Sequence, residues 1–218
     1  MHNVSSRSRW QLLLSSLLLG SALFAATSPA MAVDAAQGAG AQGAAQAIGA
    51  GDAQADAAPD WKAGPQRVGS LEVELVSDSH QVMPGETFRI GMRLRHDPHW
   101  HTYWRNPGDT GYPTRFEIEG PADTQYSDIR WPAPERLAIG PLANYGYEGE
   151  ALIYRDVTLP DTFKGRQARF RVKAEWLICK EVCIPGEAAL QLDVPVGGVT
   201  EPDRAETASF EAARRGAP

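Results

Sequence analysis

The sequence predicts an all-β fold, an antiparallel sandwich of immunoglobulin-like proportions. Three observations carry that reading. Apolar residues recur at every second position in several separated runs, the sign of strands with one buried and one wet face. Turn chemistry separates the runs. Six or seven such strands fall within about 135 residues, the proportions of a single sandwich.

Taken in order, Leu71, Val73 and Leu75 alternate with Glu72 and Glu74, and Phe88, Ile90, Met92 and Leu94 alternate with Arg89, Gly91, Arg93 and Arg95. Phe116 and Ile118 alternate with Arg115, Glu117 and Glu119, and an apolar stretch occupies residues 152–159. The longest pattern sets Ala168, Phe170, Val172, Ala174 and Trp176 against Arg169, Arg171, Lys173 and Glu175, and Leu190, Leu192 and Val194 close the series. Between them lie Met83-Pro84-Gly85-Glu86, Asn106-Pro107-Gly108-Asp109, Glu119-Gly120-Pro121, Phe163-Lys164-Gly165 and Ile184-Pro185-Gly186, each read as a turn.

The flanks are different. Arg7 and Arg9 precede an apolar run over residues 10–24, followed by Ser28-Pro29-Ala30-Met31-Ala32. A basic start, an apolar run shorter than the roughly 20 residues that span a bilayer, and a small-x-small ending describe a cleavable secretory signal, residues 1–32. Residues 33–64 read as a low-complexity linker: over residues 33–60, Ala, Gly and Gln fill 21 of the 28 positions, too few apolar groups to offset the entropy of ordering. The sandwich domain is expected over residues 65–199. In residues 200–218, Pro202 and Asp203 open a helical pattern through Phe210 to Arg215, read as a short helical or disordered tail.

A formal charge of −6 without a Lys/Arg cluster excludes a general nucleic-acid binder. Two cysteines exclude a disulfide-dense scaffold and an all-cysteine zinc site. No G-x-S-x-G or H-E-x-x-H pattern supports hydrolase chemistry. Attention falls on Cys179 and Cys183, in Trp176-Leu177-Ile178-Cys179-Lys180-Glu181-Val182-Cys183-Ile184-Pro185-Gly186. As a staple the pair is poorly placed, because closing five residues is worth roughly 2 kcal/mol against more than about 4 for a long loop. An exported protein with such a pair at a strand end or hairpin points instead to redox use. Lys180 favours a thiolate and Glu181 opposes it, so charge alone does not pick the nucleophile.

The run from Trp176 through Cys179 and Cys183 to Pro185 resembles the amino-terminal domain of the thiol:disulfide interchange protein DsbD family, and within it the branch of suppressor of copper sensitivity protein B. Three further segments share the resemblance: Trp100-His101-Thr102-Tyr103-Trp104-Arg105-Asn106-Pro107-Gly108-Asp109, Ile129-Arg130-Trp131-Pro132-Ala133-Pro134, and Asn144-Tyr145-Gly146-Tyr147-Glu148-Gly149. The resemblance implies an immunoglobulin-like sandwich in the periplasm that acts as a protein-disulfide reductase. It would relay electrons from a membrane-embedded reductase, in cis or in trans, to thioredoxin-fold partners. It further implies that Cys183 forms the mixed disulfide and Cys179 resolves it, with no cofactor beyond the redox-active Cys179–Cys183 disulfide. Tyr145 or Tyr147 matches the family's shielding cap, and Tyr103 and Trp104 would pack near the pair. Family members space their cysteines more widely and continue into membrane and thioredoxin-like domains that are not reached before Pro218.

Two other readings use the same residues. His96, His99 and His101 are three of the five histidines, and Cys179, Cys183, His99 and His101 together would suit copper. On a strand, His99 and His101 would share a face opposite His96. The third reading is a non-catalytic interaction sandwich with a structural disulfide.

Overall fold

The computed structural model describes residues 59–216; the expected signal and most of the expected linker lie outside the described residues. In chain order the strands are β1 (Lys62–Ala63), β2 (Gln66–Val68), β3 (Leu71–Ser77), β4 (Ser79–Gln81), β5 (Thr87–His96), β6 (His101–Gly108), β7 (Arg115–Glu119), β8 (Gln125–Tyr126), β9 (Glu135–Ile139), β10 (Leu142–Tyr147), β11 (Glu150–Thr158), β12 (Gln167–Cys179), β13 (Cys183–Pro195) and β14 (Glu201–Pro202). One helix, α1 (Arg204–Arg215), follows. One sheet runs β1-β13-β12-β6-β10-β9, with β7 sharing the β12 edge, and the other runs β2-β3-β5-β11-β8. A small β14-β4 pair lies beside them.

The two sheets form an immunoglobulin-like β-sandwich, and the alternation that predicts the strands also builds its core. Phe88, Ile90, Met92 and Leu94 of β5 meet Ala168, Phe170, Val172, Ala174, Trp176 and Ile178 of β12 in one buried cluster. β12 and β13 pair antiparallel over their full thirteen-residue length, from Gln167 opposite Pro195 to Cys179 opposite Cys183.

Two expectations need correction. Asn106-Pro107-Gly108 is not a turn but the end of β6. Gly108 sits at φ +90°, against the Ala143 carbonyl of β10, so the strand stays paired with β10 up to its last residue. Ile184-Pro185-Gly186 likewise lies inside β13. Proline is accepted because this end of β13 is a sheet edge: β1 pairs only with Leu190 and Gln191. The helical pattern expected in the tail is present, as a helix docked on the second sheet. Asp203 caps it by accepting from the Ala205 and Glu206 amides. Phe210 is fully buried with Val76, Leu152 and Tyr154 on the outer face of the second sheet. Arg93 on that face pairs with Glu206, and Arg89 bridges Asp78 and Glu211, both at 2.7 Å. One aromatic anchor and a set of ion pairs hold the helix, a combination that helical periodicity alone does not reveal.

Candidate redox site

The turn of the β12–β13 hairpin lies between the cysteines. Residues 180–182 close it, with the Lys180 amide donating to the Val182 carbonyl at 3.2 Å. Cys179 and Cys183 are therefore direct cross-strand neighbours, and they are bonded as a disulfide.

Strand alternation sorts the surroundings. Trp176 and Ile178 point into the sandwich core. Leu177 and Cys179 point to the outer face of the same sheet, where Cys179, Tyr103 and Leu137 form a separate buried cluster flanked by Leu177. The two cysteines differ sharply in access: Cys179 is 2% exposed, whereas Cys183 is exposed. The neighbours Val182 and Ile184 of Cys183 are 63% and 49% exposed, an apolar tip around the exposed cysteine.

The Tyr103 hydroxyl donates to Cys179 Sγ at 3.5 Å, and both groups are buried. Burial raises the pKa of Tyr103, so the phenol keeps its proton. His101 is opposite Cys179 in the ladder and packs edge-on to the Tyr103 ring with centroids 5.3 Å apart. It is 6% exposed, and desolvation lowers its pKa while Glu148 opposes the shift.

The segment after β6 covers this cluster. Gly111, at φ +94°, passes so close to the Tyr103 ring that a Cβ there would sit 2.4 Å from ring carbon. The segment is tied to β10 from both sides. The Ala143 amide donates to Asp109 Oδ2 at 2.8 Å, the Thr110 amide donates to Asn144 Oδ1 at 2.9 Å, and Asn144 Nδ2 donates to Thr110 Oγ1 at 2.8 Å. Two segments that are separate in sequence, Asn106–Asp109 and Asn144–Gly149, meet where Gly108 pairs with Asn144. At Gly146 a Cβ would stand 2.1 Å from the Thr102 carbonyl, so only glycine lets β10 approach β6 this closely.

The family of the thiol:disulfide interchange protein DsbD, N-terminal, matches residues 72–195, more than half of the chain. The chain belongs to this family. As a DsbD N-terminal domain it is a thiol–disulfide interchange domain, here with a Cys-x3-Cys pair. Among solved structures it is similar to the N-terminal periplasmic domain of ScsB from Proteus mirabilis, at 18% identity and a TM-score of 0.53. That match covers 71% of this chain and spans 58% of the ScsB structure. The reduced DsbD N-terminal domain of Neisseria meningitidis matches at 14% identity and a TM-score of 0.37, covering 62% of this chain and 91% of that one. No curated protein matches the chain.

Within this DsbD N-terminal domain the four aromatic candidates separate. Tyr103 lies against Cys179. Trp104, the next residue on β6, packs on the sandwich core instead. Tyr147 is also in that core, donating its hydroxyl to the Pro132 carbonyl at 2.8 Å. Tyr145 stands on β10 opposite Arg136, 36% exposed and outside the cluster around Cys179. The expected pairing of His99 with His101 on one strand face fails, because β6 begins only at His101. His99 is an exposed turn residue with φ +70°. His96 bonds the Gly149 carbonyl and Thr102 Oγ1. Among the described residues, no three His, Cys, Asp or Glu side chains are placed to hold a metal. Leu137, Thr110 and Gly111 carry no sequence signal of their own; strand register brings Leu137 to the site, and the bonds to Ala143 and Asn144 hold the segment of Thr110 and Gly111 there.

Proposed function

We propose that the domain is a periplasmic protein-disulfide reductase module that relays electrons through Cys179 and Cys183 to thioredoxin-fold partners. The observation that carries this reading is the difference between the cysteines, one buried beneath Tyr103 and one exposed on an apolar hairpin tip. Exchange needs an accessible sulfur to meet the partner and a sheltered one to finish the reaction. The signal-like start of the chain and the periplasmic origin stated for the ScsB domain support the compartment.

In the reduced protein the Cys183 thiolate attacks a sulfur of the partner's disulfide. The Cys183–partner bond forms, and the partner's second sulfur leaves as a thiolate. Cys179 then loses its proton and attacks Cys183 Sγ. The Cys179–Cys183 bond forms, the partner's first sulfur leaves, and the partner has gained two electrons. A membrane-embedded reductase returns the pair to the dithiol by the same exchange run in reverse. Tyr103 stays beside the sulfur of Cys179 and stabilises its thiolate by the O–H···S bond.

Trapping tests the assignment. Cys179→Ala is expected to accumulate a reductant-cleavable adduct with a thioredoxin-fold protein from a periplasmic extract, and Cys183→Ala much less. Equal trapping by both variants removes the division of roles. No adduct from either, with the fold intact, returns the bridge to a structural part.

A further inference from the structure

His101 holds a buried nitrogen that the fold does not use. Its Nε2 is shielded from solvent and has no hydrogen-bond partner among the described residues. A buried ring nitrogen left unpaired costs free energy and calls for an explanation. The residue stands directly opposite Cys179 on the outer face of the sheet, and its ring rests on Tyr103, whose hydroxyl bonds the same sulfur. Directly opposed residues on paired antiparallel strands carry their Cβ atoms about 4.5–5.5 Å apart. His101, Tyr103 and Cys179 therefore make one buried constellation of acceptor, donor and sulfur.

We propose that His101 Nε2 is the proton acceptor for Cys179, pairing with the thiol that reduction creates and taking its proton when Cys179 attacks the mixed disulfide. The inference rests on the interchange reading above and adds a residue to it. In the oxidised state Cys179 has no proton to donate, and Nε2 stays unpaired. Breaking the bridge supplies an S–H donor beside it. The resolving step then balances: the proton passes from sulfur to Nε2, the sulfur bonds to Cys183 Sγ, and the Cys183–partner bond breaks to release the partner's thiolate. The imidazolium afterwards gives its proton to solvent. A buried thiol needs this help, because desolvation disfavours its thiolate while Tyr103 offers only one stabilising bond.

Protonation before the step would disable it. The lowered pKa of His101 keeps Nε2 free at neutral pH, with desolvation as the main cause. The titratable and charged groups around it are Glu148 after β10, His96 at the end of β5, Tyr103 on its own strand, and Cys179 on β12. Glu148 favours its protonated form, and a charged His101 in turn opposes protonation of His96.

The test uses the reduced protein and 5,5′-dithiobis(2-nitrobenzoate), following thionitrobenzoate release. The first equivalent reports attack by Cys183, and the second reports resolution by Cys179. In the unaltered protein the second phase is expected to be nearly flat with pH above about 7, because the acceptor is already neutral. In His101→Gln and His101→Phe it is expected to slow by about tenfold or more at pH 7, the low end of what a positioned base supplies. It then rises about tenfold per pH unit, following thiol ionisation alone. The first phase is expected to be unchanged. An unaltered second phase in the variants overturns the role of His101 and leaves the interchange reading standing. A second phase that persists in Cys179→Ala, or a missing first phase, overturns the interchange reading and this inference with it. Should the variants fail to fold, the profile of the unaltered protein decides: a slope of one from pH 6.5 to 8 excludes a base at this position.

Discussion

Reduction of the Cys179–Cys183 bridge is expected to leave the sandwich folded, at a cost that follows from the hairpin. The bridge closes a ring of five residues, 179–183. Restricting so short a loop in the unfolded chain is worth about 2 kcal/mol, whereas a bridge closing a 100-residue loop reaches about 4.7. The native hairpin does not depend on the bridge for its register. β12 and β13 pair along thirteen residues, and Trp176 and Ile178 anchor the cysteine end in the core. For a domain of this size 1 kcal/mol moves Tm by about 2–4 °C, so reduction is expected to lower Tm by about 4–8 °C. Thermal unfolding followed by circular dichroism, with and without a dithiol, measures this. The same 2 kcal/mol must reappear as redox linkage. At about 30 mV per 1.4 kcal/mol, the native bridge is expected to be harder to reduce than the unfolded pair by about 40 mV. Its native potential is still expected to lie above about −300 mV, outside the range of resistant structural bridges. Unfolding at 25 °C on reduction, or a fall in Tm beyond about 15 °C, refutes the reasoning and makes the bridge a staple. A Tm shift and a potential shift that disagree refute the linkage.

Two further outcomes are expected. Gly111→Ala places a side chain against the Tyr103 ring and forces a left-handed backbone, a conformation costing roughly 1–3 kcal/mol; alkylation of reduced Cys179 is then expected to quicken, by about tenfold for each 1.4 kcal/mol lost from the closed arrangement, and an unchanged rate would show that this segment does not shelter the sulfur. Phe210→Ala removes the fully buried anchor of α1, an expected loss of about 3–5 kcal/mol, while exchange at the cysteines stays as it was because α1 packs on the other sheet; a change in thiol reactivity comparable to that of Gly111→Ala would contradict that separation.

Much of the frame is legible in the sequence because it depends on alternation alone. β3, β5, β7, β12 and the later part of β13 all show it, and β11 stands out as an apolar stretch. Three of the stretches that escape notice carry residues usually taken as breakers. β6 contains Asn106, Pro107 and Gly108, β10 contains Gly146, and β13 contains Pro185 and Gly186. In each case a tertiary neighbour decides: the Ala143 carbonyl beside Gly108, the Thr102 carbonyl beside Gly146, and an open sheet edge beside Pro185. No local pattern encodes those neighbours.

The same gap explains what is legible of the site. The cysteine pair stands out in the sequence, and so does the aromatic-rich segment around Tyr103. The division of labour among the aromatics does not, because it depends on strand parity. Tyr103 and Trp104 are adjacent, and β6 sends them to opposite faces, one to the disulfide and one to the core. Tyr147 lies opposite Thr102, so it shares the inward face, whereas Gly146 opposite Tyr103 leaves room on the outward one. Parity also separates redox chemistry from stability. Cys179, Tyr103 and His101 belong to the outer face of the sheet, while Ile178 and Trp176 fill the core from the alternate positions of the same strand. Breaking and reforming the bond therefore changes a small cluster beneath the Gly111 segment without requiring the sandwich core to repack, as a domain that cycles between dithiol and disulfide requires.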